Sequence, residues 1–503
     1  MNPIFYKDFY KDGHFEQYDK DVVQIFSNWT PRNSRVPGQK KIINFGLTHL
    51  LKKYIIGEFD KEFFGRPWEH VRNECHEVAR ECLFIEKPKS DHIKAVHDLG
   101  YLPLAFYSLP EGSRVPLNIP PIVVTNTKPG FNFRWLPNYF ESLMSAEIWG
   151  PSTSATTARR FRELFTKHAR RSGEKDLTFI DYQGHDFSLR GQMGIEAAKI
   201  NGMGHLLLFK GTDTVPAILE ARDYYGADIR GGNIGCSVPA TEHSVVCAGM
   251  QDGEFETFRR LITETYPTGI LSLVSDTWDL WKVLTDYIPR LRDVILSRTG
   301  KIVIRPDSGY PPDILCGTPC GDYCDNHGCG TSPEHAGALR LLASALGTTN
   351  RNCALPLVNN GGLIYGDSIN DERADEILTR TIDDLKMSPF NHVFGIGSYA
   401  YQYVTRDTHG FAMKATAAKL ANGSIRAMFK KPVTDDGGKF SHRGILAVYD
   451  NGDGSEAEPD YVLRQDTLES ELDNCAYEKV FEDGKLLIDP RFETIRARAQ
   501  AGI

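Results

Sequence analysis

The sequence predicts an α/β protein built around a parallel β-sheet in its central region. In residues 151–410, five short apolar runs each end in a small cluster of Asp, Ser and Gly, and most are followed by a segment with helical periodicity. Strands that alternate with helices along a chain pair in parallel. The flanking regions, residues 1–150 and 411–503, instead contain isolated extended runs separated by turn residues, which divides the chain into three parts.

The flanking regions are expected to be rich in β-strands. The first opens with a polar, aromatic arm, continues with helical patterns at 45–59 and 68–84, and then has the extended runs LPLAFYSLPEG and PIVVTNT. The central region begins with the amphipathic segment TTARRFRELFTKHARR, which predicts a helix. The last region returns to extended runs such as GILAVYDNGDG and DYVLR.

The five apolar runs of the central region place polar residues where strands are expected to end. The runs are HLLLFKGTD, GILSLVSD, KIVIRPDSG, GGLIYGDS and HVFGIGS, and their polar ends contain Asp213, Asp276, Asp307, Asp367 and Ser398. In parallel α/β proteins, ligand chemistry lies at the carboxyl ends of the strands. A single Asp there is equally well explained by a helix N-cap or a turn, but four of them favour a functional site.

Composition and charge exclude several classes of function. The chain has 503 residues, with 58 Lys plus Arg against 66 Asp plus Glu and a formal net charge of −8. An acidic protein is not expected to be a general binder of nucleic acids or anionic membranes. No stretch approaches the ~20 apolar residues of a membrane helix. The first residues lack the apolar segment of a secretory signal, so a cytoplasmic location is expected.

Two motifs at the predicted strand ends suit phosphate chemistry. In IRPDSG, Arg305 and Asp307 lie two residues apart and point to the same side of an extended segment. They could form an internal salt bridge, or hold a phosphate through the arginine and a sugar hydroxyl or hydrated Mg²⁺ through the carboxylate. In YGDS, Gly366 begins a turn whose N–H groups could bind a phosphate, although Gly-Asp turns are common.

Two further segments carry residues whose role the spacing leaves open. SVPATEHS contains a Glu–His pair in which His243 could take part in catalysis, but a lone histidine is more often structural. HDFSLRG places Phe187 three residues before Arg190, and a phenylalanine is by default a core residue.

Four cysteines crowd into the segment CGTPCGDYCDNHGC, with His327 among them. Four thiols could bind a structural Zn²⁺ tetrahedrally, yet the spacings of three, three and four intervening residues differ from paired C-x₂-C knuckles. Free thiols in a surface loop are the alternative. The candidate zinc ligands are Cys316, Cys320, Cys324 and Cys329.

Seven motifs taken together resemble the nicotinamide phosphoribosyltransferase family. HDFSLRG, FKGTDTV, SVPATEHS, VSDTWD, IRPDSG, YGDS and TRD occur in the order found in that family, and DFYK with His14 near the N-terminus resembles its opening motif. The resemblance implies a type II phosphoribosyltransferase with an α/β barrel and a second, β-rich α+β domain that the N- and C-terminal regions form together. It also implies a homodimer with shared active sites.

The implied reaction transfers the phosphoribosyl group of phosphoribosyl pyrophosphate to nicotinamide, as in NAD salvage, and yields nicotinamide mononucleotide and pyrophosphate. Mg²⁺ is implied as cofactor, and ATP as a co-substrate whose hydrolysis stimulates the reaction. The alternatives are a nicotinate or quinolinate phosphoribosyltransferase and a non-catalytic member that acts by binding. Asp213 favours nicotinamide, because the carboxylate of nicotinate would face it as a like charge.

The resemblance assigns roles to residues at matching motif positions. Phe187 and the partner subunit's Tyr10 would stack on the two faces of the pyridine ring, and Asp213 would contact the carboxamide. His243 would accept a phosphoryl group from ATP, whose charge would raise the affinity for phosphoribosyl pyrophosphate. The remaining assignments are Arg190 and Arg305 at nicotinamide and phosphate, Asp279 and Asp307 at Mg²⁺ and pyrophosphate, Ser275, Gly366, Asp367 and Gly397 at the substrate, and Arg32, Arg406 and Lys414 at phosphates across the dimer interface.

The segment FGIGSYAYQYVTRD departs from the pattern of part of the family, which has a run of glycines where this chain has Gly397, Ser398 and Tyr399. A tyrosine cannot adopt the special conformations of glycine at low cost. The phosphate contacts at Ser398 and Tyr399 are therefore expected to be different in this chain.

Overall fold

The computed structural model describes residues 1–319, 332–350, 354–434, 441–452 and 459–503, which form two compact units. One unit, here called the N/C unit, contains Met1–Thr156, Leu219–Ala227 and Val404–Gly502. The other, the barrel unit, contains Thr157–Ile218, Asp228–Tyr403 and Ile503. The assignment of 219–227 to the N/C unit has no signal in the sequence.

The strands are short, and most contain between two and five residues. In chain order they are β1 Val22–Pro31, β2 Lys41–Ile43, β3 Leu104–Ser108, β4 Arg114–Pro116, β5 Ile122–Asn126, β6 Gly184–Asp186, β7 Gly211–Thr212, β8 Leu271–Val274, β9 Ile302–Arg305, β10 Thr348–Thr349, β11 Leu357–Val358, β12 Gly361–Tyr365, β13 His392–Ile396, β14 Phe411–Leu420, β15 Ile425–Ala427, β16 Ala447–Asp450, β17 Tyr461–Arg464, β18 Glu478–Glu482 and β19 Lys485–Leu486.

Helices connect most of these strands. The α-helices are His14–Gln17, Leu47–Leu50, Trp68–Leu83, Asp91–Leu99, Leu136–Tyr139, Glu141–Arg171, Ile180–Gln183, Ile195–Leu206, Val215–Tyr225, His243–Ala248, Met250–Arg260, Leu280–Lys282, Ile288–Arg290, Arg292–Ser297, Pro311–Cys316, Pro333–Leu346, Asp371–Asp383, Ser398–Tyr401 and Phe492–Gln500. The segments with π-helical hydrogen bonding are Leu51–Glu58, Asp60–Phe64, Leu261–Thr265 and Val283–Tyr287. The 3₁₀ turns are Pro3–Phe5, Phe9–Gly13, Leu189–Gly191, Arg230–Gly232, Pro389–Asn391, Arg406–Thr408 and Glu469–Asp473.

The N/C unit is built around an antiparallel sheet that takes strands from both ends of the chain. The strand order is β15-β14-β1-β5-β3-β18-β19. β1 pairs with β14 along its whole length, from Val22 opposite Leu420 to Pro31 opposite Phe411. Trp29 of β1 is fully buried and stacks on Phe411 with a ring-centroid distance of 5.4 Å. The expectation that the two ends of the chain form one β-rich domain is confirmed.

A buried arginine holds the N-terminal arm against the N/C unit. Arg134 is 1% exposed, and its guanidinium donates hydrogen bonds to the main-chain carbonyls of Tyr18, Asp19 and Val22. Main-chain carbonyls satisfy a buried guanidinium and at the same time fix the chain that carries them. The arm that contains Tyr10 is therefore anchored at its C-terminal end.

The barrel unit contains the predicted parallel sheet, closed into a barrel. Six strands pair in parallel in the order β7-β6-β13-β12-β9-β8. Segment 236–240 connects the two edges, because Cys236 forms a parallel bridge with Gly211 of β7 and Ala240 forms one with Ser272 of β8. The predicted α/β barrel is confirmed, and its short strands bring all their carboxyl ends to one side.

Four of the five apolar runs form the predicted strands β8, β9, β12 and β13. The first run does not, because His205 and Leu206 end the helix Ile195–Leu206, and β7 covers only Gly211–Thr212. The C-terminal half of that helix is buried on all sides. A helix without a polar face cannot be distinguished from a buried strand by periodicity.

The helix that contains TTARRFRELFTKHARR is about twice as long as predicted. It runs from Glu141 to Arg171, and its first half contains Gly150 and Pro151, which normally interrupt helices. The pattern at 68–84, in contrast, corresponds closely to the helix Trp68–Leu83. Within the described part of the chain, no helix combines the length and the apolar character needed to cross a membrane.

Candidate active site

The carboxyl ends of the barrel strands bring together most of the residues predicted in this unit. The residues that follow the strands are Phe187 after β6, Asp213 after β7, Asp276 after β8, Asp307 after β9, Gly366 after β12 and Gly397 after β13. Two cavities border on these residues, one mainly apolar and one mainly polar, here called the apolar and the polar cavity. The apolar cavity extends to the amino ends of the strands, at Ile270, Lys301 and Asn391.

The apolar cavity has a volume of about 330 Å³ and a few polar groups in its wall. They include groups of His185, Asp213, Ser237, Ser272 and Arg305. Most of the remaining wall is aliphatic or aromatic and includes Phe187, Val238, Val303, Leu363, Ile364 and Val393. An apolar cavity with convergent polar groups matches a flat, largely apolar ligand with a polar substituent.

Asp213 is held in this cavity by two hydrogen-bond donors. His185 Nε2 lies 3.0 Å from Asp213 Oδ1, and Ser237 Oγ donates to the same oxygen at 2.5 Å. Burial alone would raise the pKa of Asp213, but the hydrogen bonds from His185 and Ser237 and the charge of Arg305 outweigh it and lower the pKa. The carboxylate is therefore ionised at neutral pH.

Phe187 lies against two glycines on the border between the cavities. A Cβ atom would come within 2.7 Å of the Phe187 ring if Gly366 carried one, and within 2.4 Å at Gly395. Both positions therefore require glycine for the ring to lie where it does. Phe187 is half-buried and forms part of the wall of both cavities, so it is not simply a core residue.

The polar cavity has a volume of about 600 Å³ and shares Phe187 and Arg305 with the apolar cavity. Cationic side chains, carboxylates and glycine turns form its wall, a combination that suits a phosphorylated sugar. Its other wall residues are Arg190, Gly191, Asp307, Gly366, Asp367, Ser368, Gly397, Ser398, Tyr399, Gln402 and Tyr403.

Arg305 is positioned by the main chain. Its Nη2 donates to the carbonyl oxygen of Thr241 at 2.8 Å, and its Nε is buried without a hydrogen-bond partner among the described residues. The internal salt bridge with Asp307 that the sequence left open is not among the ion pairs of the described residues. A fixed guanidinium with an unused donor at the junction of two cavities is suited to bind an anionic ligand group.

His243 lies beside two carboxylates at the start of a short helix. Its Nδ1 is 3.0 Å from Thr277 Oγ1. Its Nε2 is 3.9 Å from Asp276 Oδ1 and 4.0 Å from Asp307 Oδ2, beyond hydrogen-bond range but close enough for a charge interaction. The imidazole thus faces the acidic side of the site.

Asp276 is the carboxylate that organises this corner. Its side chain is only 6% exposed, and its Oδ2 accepts hydrogen bonds from the Asp307 N–H at 2.7 Å and from Ser308 Oγ at 2.6 Å. Its Oδ1 has no hydrogen-bond partner among the described residues. A buried carboxylate oxygen without a donor, next to a second carboxylate, suits a bound cation.

Asp279, assigned to Mg²⁺ from the resemblance, caps a helix through one of its carboxylate oxygens. Its side chain accepts hydrogen bonds from the first N–H groups of the helix Leu280–Lys282 and acts as its N-cap. The carboxylate that lies beside Asp307 belongs to Asp276, three residues earlier. The structure thus places Asp276 beside Asp307, while the assignment of Asp279 to Mg²⁺ stays a prediction.

Ser275, assigned to the substrate, directly follows β8. It is fully buried, and its hydroxyl donates to the carbonyl oxygen of Leu273 at 2.7 Å. The serine in the wall of the apolar cavity is Ser272, whose Oγ has no hydrogen-bond partner among the described residues. Ser272 is therefore a further candidate for a ligand contact, and the assignment of Ser275 stays a prediction.

Of the four predicted residues of the N/C unit, Lys414 and Tyr10 lie near one carboxylate, that of Glu141. Lys414 Nζ is 3.6 Å from Glu141 Oε1. Burial lowers the pKa of Lys414; the charges of Arg32 and Arg406 lower it further, whereas the charge of Glu141 raises it. The pKa of Tyr10 is raised by burial and by Glu141, while Arg406 opposes the shift. These residues, from both ends of the chain, form one surface of mixed charge.

The departure at Ser398 and Tyr399 introduces side chains and causes no backbone strain. Tyr399 lies within the helix Ser398–Tyr401 and needs none of the conformational freedom of glycine. Its ring stacks on Tyr403 at 5.4 Å in the wall of the polar cavity. A Cβ at Gly191 would lie 2.3 Å from that of Ser398, so only glycine fits beside this serine.

The cysteine segment remains largely outside the described residues. Cys316 is buried at the end of the helix Pro311–Cys316, with its Sγ 3.6 Å from the carbonyl oxygen of Ile377. Cys320, Cys324 and Cys329 lie outside the described residues, so the zinc site stays a prediction. In the ranges that the structure describes, no group of three or more His, Cys, Asp or Glu side chains is arranged to hold a metal ion.

Four residues in or beside the cavities were not among the predicted site residues, although each lies in or beside a selected motif: His185, Ser237, Thr277 and Gly395. One signal was present for His185, because it precedes Phe187 by two residues and alternate residues of a strand share a face. Ser237 and Thr277 lie in loops, where no periodicity indicates which side chains meet.

A parallel α/β barrel with a separate antiparallel sheet domain is the fold of type II phosphoribosyltransferases. The barrel and the antiparallel domain are similar to a nicotinate-nucleotide pyrophosphorylase from Pyrococcus furiosus (TM-score 0.55, 14% identity, covering 98% of this chain and 93% of that one). They are also similar to human nicotinic acid phosphoribosyltransferase (TM-score 0.52, 14% identity, covering 98% and 92%). At this identity the likeness shows the fold.

The sequence comparisons show the family. The family model for nicotinate phosphoribosyltransferase (NAPRTase) matches residues 182–476. A nicotinamide phosphoribosyltransferase of Acinetobacter baylyi is 42% identical over 99% of this chain and 97% of its own length. One from Mycoplasma pneumoniae is 36% identical, covering 88% and 96%. The chain belongs to the nicotinate phosphoribosyltransferase family, and it is an enzyme of the pentosyltransferase class.

Proposed function

We propose that this enzyme transfers the phosphoribosyl group of phosphoribosyl pyrophosphate to nicotinamide, and so acts in NAD salvage. The observation that carries the proposal is the Asp213 carboxylate in the wall of an apolar cavity that shares Phe187 and Arg305 with a polar one. The apolar cavity suits the pyridine ring, and the polar cavity suits the ribose and its phosphates. The names of the relatives from Acinetobacter and Mycoplasma support the same substrate.

Asp213 would select the amide. His185 and Ser237 both approach Oδ1, and among the described residues no hydrogen bond joins a donor to Oδ2, which can accept one from the carboxamide N–H. The carboxylate of nicotinate would instead face the ionised Asp213. Two like charges ~4 Å apart cost about 1–4 kcal/mol at effective dielectric constants of 80 to 20.

Catalysis at C1 of the ribose would consist mainly of positioning and charge stabilisation. The bond to pyrophosphate breaks through a state with positive charge on the ribose, which needs little covalent chemistry from the protein. Phe187 would hold the ring of nicotinamide flat, with its nitrogen toward C1. Arg305 at the junction, with Arg190 in the polar cavity, would neutralise phosphate charge.

The residues present fit a divalent cation. Asp276 offers an unpartnered, buried oxygen and Asp307 a neighbouring carboxylate, and Mg²⁺ is commonly held by one or two carboxylates together with substrate phosphates. When bound, Mg²⁺ would supply positive charge to the leaving pyrophosphate.

ATP would act through His243. Phosphorylation of this imidazole would add negative charge beside Asp276 and Asp307 and thereby strengthen cation binding at the pyrophosphate site. Higher affinity for phosphoribosyl pyrophosphate with Mg²⁺ is the expected result. The enzyme would be a homodimer in which Tyr10, Arg32, Arg406 and Lys414 of each subunit complete the site of the other.

The test is a product assay with purified protein, phosphoribosyl pyrophosphate and Mg²⁺. Nicotinamide and nicotinate are supplied in parallel, each with and without ATP, to the wild-type enzyme and to His243→Ala, and the mononucleotides are quantified. We expect nicotinamide mononucleotide as the main product, with ATP stimulation in the wild type only. Preferential turnover of nicotinate would instead support the activity in the family's name, and ATP stimulation that persists in His243→Ala would refute the phosphohistidine.

A further inference from the structure

The ring of His243 has different surroundings at its two nitrogens. Nδ1 is 3.0 Å from the hydroxyl oxygen of Thr277, which is hydrogen-bond distance. Nε2 is 3.9 and 4.0 Å from the nearest oxygens of Asp276 and Asp307, where the cation and the pyrophosphate are proposed to bind. Only one nitrogen, therefore, faces the reacting phosphates.

The hydrogen bond at one imidazole nitrogen decides the chemistry of the other. In a neutral imidazole one nitrogen carries the proton and the other a lone pair, and the partner of the first fixes which is which. The oxygen of Thr277 can accept a hydrogen bond from Nδ1–H. In that tautomer Nε2 holds the lone pair and is the nucleophile.

We propose that Thr277 is a positioning residue, which holds His243 with its proton on Nδ1 so that Nε2 attacks the terminal phosphoryl group of ATP. This inference rests on the proposed phosphorylation of His243. The lone pair of Nε2 forms the N–P bond, the bond from phosphorus to the bridging oxygen breaks, and its electron pair leaves with ADP. The Nδ1 proton stays on the ring, hydrogen-bonded to Thr277, and the ring becomes cationic.

The neutral hydroxyl also suits a transient phosphohistidine. A carboxylate at Nδ1 would stabilise the cationic ring strongly and slow the loss of the phosphoryl group, whereas a hydroxyl orients the ring with a weaker interaction. Thr277 is fixed in the loop between Asp276, which bonds to the Asp307 main chain, and Asp279, which caps the next helix. The orientation of the ring thus depends on a well-anchored segment.

The test compares Thr277→Val, which keeps the shape but removes the acceptor, with Thr277→Ser, which keeps the hydroxyl. Thr285→Val is the matched control, since Thr285 is exposed and its hydroxyl donates only to the carbonyl of Trp281. Each protein is incubated with ATP and Mg²⁺, and phosphohistidine is measured by intact mass and by ³¹P NMR, which distinguishes the two ring isomers. The ratio of ATP-stimulated to basal product formation is measured alongside.

We expect Thr277→Val to contain about tenfold less phosphohistidine than the wild type and to have an about tenfold lower stimulation ratio. A tenfold effect corresponds to the loss of about one hydrogen bond. Thr277→Ser and the control should stay close to wild type, with phosphorylation on Nε2. Wild-type levels in Thr277→Val, or phosphorylation on Nδ1, would overturn the role of Thr277 and leave the proposed function intact. Absence of phosphohistidine from the wild type would overturn the phosphorylation of His243 and, with it, the role of Thr277. If Thr277→Val melts at a lower temperature than the wild type, Thr277→Ser distinguishes a loss of ring orientation from a folding defect, because it keeps the hydroxyl.

Discussion

At the scale of single residues, Asp213 is expected to decide between nicotinamide and nicotinate. Replacing it with Asn keeps the size and removes the charge, so the repulsion of nicotinate disappears. The ratio of kcat/KM for nicotinamide to that for nicotinate should fall by about 5- to 1000-fold, the range that corresponds to ~1–4 kcal/mol. Steady-state kinetics with both substrates measure this ratio.

The control for this variant is Asp228→Asn, because Asp228 pairs with Arg230 on the surface of the same unit. Its substrate ratio should equal that of the wild type. A ratio in Asp213→Asn that is also unchanged would show that the carboxylate does not face the ring substituent.

Residue types could be predicted from the sequence more reliably than residue positions. The motif VSDTWD indicated an aspartate near the phosphates, and the structure shows Asp276 hydrogen-bonded to the Asp307 main chain and Asp279 at the start of a helix. Both residues follow the same strand, and only the three-dimensional turn shows that one caps a helix while the other turns inward. A turn depends on hydrogen bonds between segments, which a local pattern does not contain.

At the scale of secondary-structure elements, the helix Met250–Arg260 carries a buried acid with no role in the proposed reaction. Glu254 is 1% exposed, and its Oε1 lacks a hydrogen-bond partner among the described residues. Burial raises the pKa of Glu254 to about 7, assisted by the charge of Asp279 and opposed by Lys282 and Tyr287. This helix therefore contains a carboxyl group that ionises near neutral pH, and its ionisation lowers the free energy of unfolding.

Because the pKa of Glu254 is higher in the folded than in the unfolded state, the folded protein binds the proton more tightly. The resulting stability is complete at pH 4 and is lost as the pH rises through 7. Glu254→Gln does not ionise, so at pH 8.5 its free energy of unfolding should exceed that of the wild type by at most about 3 kcal/mol. It should therefore melt at a higher temperature at this pH. The difference should decrease toward pH 5.

Melting curves at both pH values test this, with Glu256→Gln as control because Glu256 is exposed on the same helix and pairs with Arg259. An equal difference between wild type and Glu254→Gln at pH 5 and pH 8.5 would show that Glu254 does not titrate in this range.

Elements were predictable where one face of a segment is polar. The amphipathic helix Trp68–Leu83 and the strands that end in charged turns appear nearly as expected. The fully buried end of Ile195–Leu206 and the first half of Glu141–Arg171 were not predicted, because burial on all sides and a Gly-Pro pair hide helical periodicity. In both cases tertiary packing outweighs the local signal.

At the scale of the whole molecule, alternating strands and helices sufficed to predict the parallel sheet, and the resemblance supplied its closure. The closure itself depends on segment 236–240, which has no strand pattern and joins the edges through single bridges at Cys236 and Ala240. The assignment of 219–227 to the N/C unit could not be predicted from the sequence either, because it depends on contacts between residues that are far apart along the chain.

The proposed homodimer predicts that two inactive variants restore each other. Tyr10→Ala removes a side chain of the N/C unit, and Asp307→Ala removes one from the barrel unit. If the subunits complete each other's sites, a heterodimer of the two has one intact site. Co-expression at equal levels, with random pairing, should therefore recover about a quarter of wild-type activity, while each variant alone is nearly inactive.

The control pair is Asp213→Ala with Asp307→Ala, both in the barrel unit, for which every site of a heterodimer keeps one defect. This pair should show no recovery, so it separates true complementation from a general effect of co-expression. If Tyr10→Ala and Asp307→Ala also show no recovery although heterodimers form, each site is built from one chain, and the surface around Glu141 must act within its own subunit. Recovery in the first pair alone requires a ligand that is bound by two subunits at once, which makes dimerisation a condition of catalysis.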